Sequence, residues 1–309
     1  MGMLVEGVWK TEDQLQDESG RFRRRPTRFR GRVTASGESG YPAAAGRYHL
    51  YVSLACPWAH RTLIMRKLKG LESAIPVSVV APLMLEDGWE FSDEYPDRLG
   101  GRRYLRELYL EAQPDYTGRV TVPVLWDSET RTIVNNESRE IMRMLDLEFG
   151  EYATRDADLC PENLRSQIDE TIDSIYEPVN NGVYRAGFAS RQEAYEEAVT
   201  GLFEALDHWE EVLGERRYLC GDRPTEADVC MFTTLVRFDP VYHGHFKCNL
   251  RRIVDYPNLW RFTREIYGLP GVAETVDVEH IKLHYYGSHR SINPTGIVPK
   301  GPVMDFGLR

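Results

Sequence analysis

An apolar, β-prone run, His49-Leu-Tyr-Val-Ser-Leu-Ala55, ends on Cys56-Pro57, and a helical pattern from Ala59 to Leu71 follows directly. No other stretch constrains the chain as much. A strand that passes straight into a helix puts the Cys56 sulfur at the helix N-terminus. Unpaired N–H groups and the helix dipole there favour a thiolate over a thiol. Pro57 suits the first helical position, where no N–H is needed. The second slot of a C-x-x-C motif is Ala59, so Cys56 has no local resolving partner. Attack by such a thiolate on a sulfur leaves a mixed disulfide that an outside thiol must reduce. The competing reading is a buried, inert cysteine, because free cysteine is among the most buried residue types.

The elements around this junction set a layout. Residues 47–56 read as a strand, 57–71 as a helix and 75–80 as a second strand. Residues 81–120 are long and irregular, which marks a functional loop or an insertion. Val120–Trp126 reads as a strand, Asp127-Ser-Glu-Thr as a turn, Arg131–Asn135 as its hairpin partner and Glu137–Leu147 as an amphipathic helix. This β-α-β then β-β-α order is thioredoxin-like. Proline is disfavoured inside a central strand, so Pro123 needs a reason, and a cis-proline facing Cys56 supplies one. From residue 160 the chain turns helical, with candidates at 162–180, 190–214, 226–239 and 257–268. Thr225-Glu-Ala-Asp228 before an apolar run is a capping box that starts a central buried helix. The expected fold class is an α/β thioredoxin-like domain at 47–150, with an insertion at 81–120, plus an all-α domain at 160–276. Residues 1–46 are expected as an extension wrapped on the body, and 277–309 as a tail.

A length of 309 residues allows two domains. No run of 18 apolar residues exists, so no membrane helix is expected. Met1–Trp9 lacks a basic region and a long apolar core, so no signal peptide is expected. Five scattered cysteines (56, 160, 220, 230, 248) suit a reducing cytosol rather than a disulfide framework. The expected location is cytoplasmic. A net charge of −10 argues against nucleic-acid binding. The segment Arg21–Arg32 opposes that balance with seven arginines and no acid. We read it as pairing with the acidic body while Phe22 and Phe29 pin it down, rather than as an anion patch. His243, His245 and Cys248 lack an evident fourth ligand, and His280 and His284 do not form H-E-x-x-H, so no metal is expected. His60 and Arg61, just after Cys56, either raise the local positive potential or point to solvent.

Seven motifs carry a family resemblance through their order, each being weak alone. They are Cys56-Pro-Trp-Ala59, Thr121-Val-Pro-Val-Leu-Trp-Asp127, Asn136-Glu-Ser138, Asn180-Asn-Gly-Val-Tyr184-Arg-Ala-Gly-Phe188, Val236-Arg-Phe-Asp-Pro-Val-Tyr242, His245-Phe-Lys-Cys248, and His284-Tyr285 together with Ile292-Asn-Pro-Thr-Gly-Ile297. Over nearly the whole chain the sequence resembles the glutathionyl-hydroquinone reductases, the Xi-class, Omega-like glutathione transferases. The resemblance implies the glutathione transferase fold and a homodimer formed through the helical domain. It implies glutathione as co-substrate, no metal, and reduction of glutathionyl-hydroquinones to hydroquinones. Cys56 would attack the glutathione sulfur of the adduct, and a second glutathione would release glutathione disulfide.

The same resemblance implies site residues. Val122, before Pro123, would pair its backbone with the cysteinyl part of glutathione. Ser138 and the helix N–H groups would hold the γ-glutamyl carboxylate, and Glu137 its ammonium. Plain helix capping competes for Glu137 and Ser138. Another γ-glutamylcysteine-like thiol would satisfy these residues equally. Trp89 and Arg119 correspond to glutathione contacts. An unburied tryptophan in a polar loop asks for a ligand, although packing of the insertion competes, as does a surface ion pair for Arg119. Tyr184 and Tyr285 match the tyrosines of the hydroquinone site, where a phenol can donate to the quinol oxygen and pass a proton. Tyr286 leaves the register there open. Two alternatives stand: an Omega-type thiol transferase reducing dehydroascorbate or mixed disulfides, and a non-catalytic binding protein on the same fold. The tyrosine motifs oppose the first, and Cys56 in its full context opposes the second.

Overall fold

The computed structural model describes residues 2–11, 15–24 and 26–307. The chain divides into two compact units, one spanning 1–13 and 26–157, the other 14–25 and 158–309.

The first unit opens with a hairpin, β1 (Met3–Val5) and β2 (Val8–Lys10), where only an irregular extension was expected. Its two-residue turn, Glu6-Gly7, takes positive φ at both positions (49° and 76°), the backbone that a tight hairpin needs. Next come β3 (Tyr48–Val52), α1 (Pro57–Leu68) and β4 (Val77–Val79). The segment expected as irregular contains α2 (Leu105–Ala112), which buries Leu105, Leu108 and Tyr109. Eight residues are too few for the helical period to stand out from the charged residues around them. After α2 come β5 (Val124–Asp127), β6 (Thr132–Asn135) and α3 (Ser138–Leu147). The sheet order is β4-β3-β5-β6, with β3 parallel to β4 and antiparallel to β5. All five residues of β3 are buried, as in a strand covered on both faces. Helices α1 and α3 pack on each other.

The second unit is helical: α4 (Arg165–Ile175), α5 (Gly182–Gly187), α6 (Gln192–Glu215), α7 (Glu226–Arg237), α8 (Pro257–Tyr267) and α9 (Val278–Ser288). Every residue of α7 is buried. The expected capping box starts it: Thr225 N–H and Oγ1 both donate to Asp228 Oδ2 at 2.7 Å. The helix expected over 162–180 is instead a 3₁₀ turn, then α4, then one π turn at Tyr176–Asn180. A second π turn, Phe238–Tyr242, follows α7. Each contains a proline, Pro178 or Pro240, which has no N–H and crowds the carbonyl four residues back. The chain widens there, and Asn181 and His243 donate to carbonyls five residues back, each at 2.8 Å.

Helix α9 corrects the tail expected from residue 277. It buries His280, Lys282 and His284 beside Ile281 and Tyr285, so hydropathy alone hides it. Beyond it, Phe306 stacks on Tyr267 with ring centroids 4.5 Å apart. Among the described residues no helix is long and apolar enough to cross a membrane.

The arginine-rich segment pairs with acids, as expected. In the helical unit Arg21 meets Glu197 and Arg23 meets Asp17, both at 2.7 Å. In the sheet unit Arg30 meets Glu140, and Arg32 meets Glu148 at 2.6 Å. Phe22 stacks on Phe188 and Phe29 on Tyr116. Arg25 lies outside the described residues.

Candidate active site

Cys56 is the N-cap of α1, in extended backbone (φ −76°, ψ 119°), with Pro57 as the first helical residue. Its carbonyl accepts the first helical bond, from His60 N–H at 2.9 Å. The sulfur therefore stands beside the positive end of the helix. The Val122–Pro123 peptide is cis, as expected, and Pro123 lies just before β5 rather than inside the strand expected over Val120–Trp126. The Cys56 thiol donates to Val122 O at 3.6 Å. The β3–β5 ladder ends at Tyr51↔Val124, so Val122 lies just past the last registered pair. Of the five cysteines only Cys56 is not buried. Burial pushes the Cys248 thiol well above its usual range, and Cys220 also rises. Thiols in such places are inert.

Helix α3 starts at Ser138, with Glu137 as its N-cap. The Glu137 carboxylate accepts from Arg139 N–H and Thr27 Oγ1, both at 3.3 Å. The capping role considered for Glu137 is thus present. Ser138 is buried, and its hydroxyl donates to Glu137 Oε1 and accepts from Arg61 Nη1, both at 3.4 Å. His60 and Arg61 are themselves buried, because α1 packs against α3. The solvent-facing alternative for that pair is overturned, and a guanidinium from the Cys56 helix reaches the first residue of α3.

Trp89 is only 7% exposed, which corrects the premise of an unburied tryptophan. The insertion folds around it, and its carbonyl accepts from Leu105 N–H at 3.0 Å, at the start of α2. Arg119 is partly exposed, and its carbonyl accepts from Tyr116 Oη at 3.1 Å.

In the helical unit, Tyr184 and Tyr285 meet hydroxyl to hydroxyl at 2.5 Å. Tyr242 extends the chain, with its hydroxyl 3.1 Å from that of Tyr285. Tyr285 and Tyr242 are essentially fully buried, whereas Tyr184 keeps 9% exposure. Burial, reinforced by the Tyr184 and Tyr242 phenols, drives the Tyr285 hydroxyl well above its usual pKa. Tyr286 points elsewhere, donating to Pro240 O at 3.4 Å, so Tyr285 is the residue in register with Tyr184. Phe246 packs edge-on against Tyr184 and Tyr285.

Sequence reasoning missed three features of this cluster. Tyr242 closes the Val236–Tyr242 motif, and the signal available was Pro240, which widens the helix just before it. Arg24 lies over the Tyr184 ring, 5.1 Å from its centroid. His245 Nε2 meets His289 Nδ1 at 3.1 Å, and burial lowers the His245 pKa to about 4. Cys248, once weighed as a ligand beside His245, has its sulfur 4.0 Å from Val183 O.

Comparison with known proteins identifies the family. A model of the glutathione S-transferase N-terminal domain matches residues 55–148, and one of the C-terminal domain matches 192–265. Glutathionyl-hydroquinone reductase YqjG of Escherichia coli K12 is 54% identical over 317 residues, covering 99% of this chain and 97% of the relative. Glutathionyl-hydroquinone reductase PcpF of Sphingobium chlorophenolicum is 52% identical over 308 residues, covering 98% and 97%. A Xi class glutathione transferase from Natrialba magadii aligns with a TM-score of 0.95 at 56% identity, covering 100% of this chain and 95% of that one. The glutathione-bound structure of YqjG aligns with a TM-score of 0.91 at 53% identity, covering 99% and 97%. The chain belongs to the glutathionyl-hydroquinone reductases, the Xi class of the glutathione transferases.

Proposed function

We propose that this protein reduces glutathionyl-hydroquinones to hydroquinones with glutathione as the reductant, through a mixed disulfide on Cys56. One observation carries the reading: Cys56 is a partly exposed N-cap beside a cis-proline peptide, with alanine in the resolving slot. A helix N-terminus favours the thiolate, and the missing second thiol calls for an external one.

The chemistry balances with one further glutathione. The quinol O–H proton moves to the ring carbon that bears sulfur, giving a dienone. The Cys56 thiolate attacks that sulfur, forming an S–S bond as the C–S bond breaks. The C–S electron pair returns to the ring, and the oxygen regains a proton. Sulfur is oxidised to a disulfide, and the ring carbon is reduced from C–S to C–H. Glutathione then attacks the Cys56 mixed disulfide, releasing glutathione disulfide and the thiolate. No metal is needed in this sequence.

Tyr184 and Tyr285 move the proton at the quinol oxygen. Their short hydroxyl contact supports this, since one phenol can donate as the other accepts. Val122 offers its main chain to the cysteinyl part of glutathione. Ser138 with the α3 N-terminus holds the γ-glutamyl carboxylate, and Glu137 takes the ammonium. Trp89 and Arg119 complete the glutathione contacts. The enzyme works as a homodimer in the cytoplasm, where glutathione stays reduced.

Product stoichiometry tests the reading. Wild type should release one hydroquinone and one glutathione disulfide per adduct consumed, and Cys56→Ser should release neither. Reduction of the adduct by the serine variant would overturn it. Turnover of dehydroascorbate with none of the adduct would favour an Omega-type thiol transferase instead.

A further inference from the structure

The run Arg21–Arg32 holds one arginine that sits on aromatic rings. The Arg24 guanidinium lies 5.1 Å from the Tyr184 ring centroid and 5.3 Å from that of Phe22. Its Nε donates to Asn181 Oδ1 at 3.1 Å. Asn181 stands one turn before Tyr184, and its carbonyl accepts from Tyr184 N–H at 3.0 Å. The other end of the Asn181 side chain donates to Glu177 Oε2 at 3.2 Å, which fixes the amide. Phe22 is buried and stacked on Phe188. The segment is therefore anchored two residues before Arg24, and Asn181 aims the guanidinium. Its charge falls on the least buried member of the phenol chain. A cation over a ring face favours negative charge on that ring and nearby.

We propose that Arg24 is a positioning and specificity-determining residue for the tyrosine chain. Its charge supports the negative charge shared by Tyr184 and the quinol oxygen during proton movement, and it favours adducts of hydroquinones that carry a further anionic group. The proposal rests on the reading of Tyr184 as a proton-handling residue. It also gives the arginine-rich segment a role that ion pairing alone does not. The selected substrates are carboxylated hydroquinones joined to glutathione, whose extra charge gains most from a fixed guanidinium.

The test compares full-length wild type, Arg24→Gln and Arg24→Lys on two adducts. These are glutathionyl-hydroquinone and the glutathionyl conjugate of 2,5-dihydroxybenzoate. A unit charge at this distance, partly screened by water, is worth about tenfold in rate. Arg24→Gln should lose about tenfold in kcat/KM on the carboxylated adduct and about threefold on the neutral one. Arg24→Lys should recover most of both losses, because it restores the charge. Equal losses on both adducts, with lysine as impaired as glutamine, would reduce Arg24 to a packing role and overturn the proposal. An unchanged Arg24→Gln would overturn it as well. Tyr184→Phe separates the two levels: full activity in that variant sinks the role of Tyr184 itself. A strong loss there, beside an unaffected Arg24→Gln, sinks only the inference about Arg24.

Discussion

Replacing Tyr285 with Phe removes one oxygen from the middle of the phenol chain. The ring stays, with its edge-on contacts to Tyr242 and Phe246. Two hydrogen bonds go, to Tyr184 and to Tyr242. Each neutral hydrogen bond contributes about 1 kcal/mol net, so the variant should lose about 2 kcal/mol of stability. A domain with roughly 5–15 kcal/mol to spare remains almost wholly folded after that loss. Removal of a positioned acid or base costs about 10²–10⁴ in rate. The lower end applies here, because Tyr184 keeps its own hydroxyl, which the proposed function sets at the quinol oxygen. Tyr285→Phe should therefore lower kcat about 100-fold while remaining folded. Single-turnover release of hydroquinone at saturating adduct measures the first quantity, and urea unfolding the second. A folded variant with kcat within about threefold of wild type would refute a proton-moving role for this pair.

Two further outcomes follow from the packing around the phenols. A Cβ added at Gly187 would sit 2.2 Å from the Phe246 ring, itself fully buried, so Gly187→Ala must displace a ring that touches Tyr184, Tyr242 and Tyr285. It should destabilise by about 2–3 kcal/mol in urea and lower kcat, and unchanged stability would contradict this packing. Burial lowers the His245 pKa to about 4 and pulls His289 well below its usual range. As pH falls from 6.5 toward 4, the unfolded chain takes up protons that the folded one refuses. Stability is thus full above 6.5 and declines by about 3 kcal/mol for His245 across that window. Urea unfolding at pH 7, 5.5 and 4.5 should show the decline and a shallower one in His245→Gln. An identical slope in both would count against it.

The strands and helices that flank Cys56 and Pro123 were legible because their signals are local. Cys56-Pro57 marks a strand-to-helix junction on its own, and Pro123 beside an apolar strand pattern is itself a local signal for a special peptide. The Thr225–Asp228 box likewise needs only four residues to declare a helix start. Beyond the short β1–β2 hairpin and α2, the missed features depend on partners distant in the chain. Helix α9 buries His280, Lys282 and His284, and no hydropathy pattern foretells a buried lysine whose ammonium reaches Lys300 O at 2.9 Å. Arg24 looked like six other arginines until Asn181, 157 positions away, took its Nε. Trp89 looked exposed because the short helix that follows it gives too little periodicity to read. Glu137 and Ser138 were placed correctly at a helix start. Whether they cap or bind there is a question of ligand affinity, and the geometry serves both.

The most direct test of the central claim is a mass spectrum of the intact protein after incubation with a glutathionyl-hydroquinone and no free glutathione. Wild type should gain the mass of one glutathione on Cys56 and release free hydroquinone, and Cys56→Ala should do neither. An adduct on both proteins, or on neither while hydroquinone still appears, would contradict a mixed disulfide on Cys56.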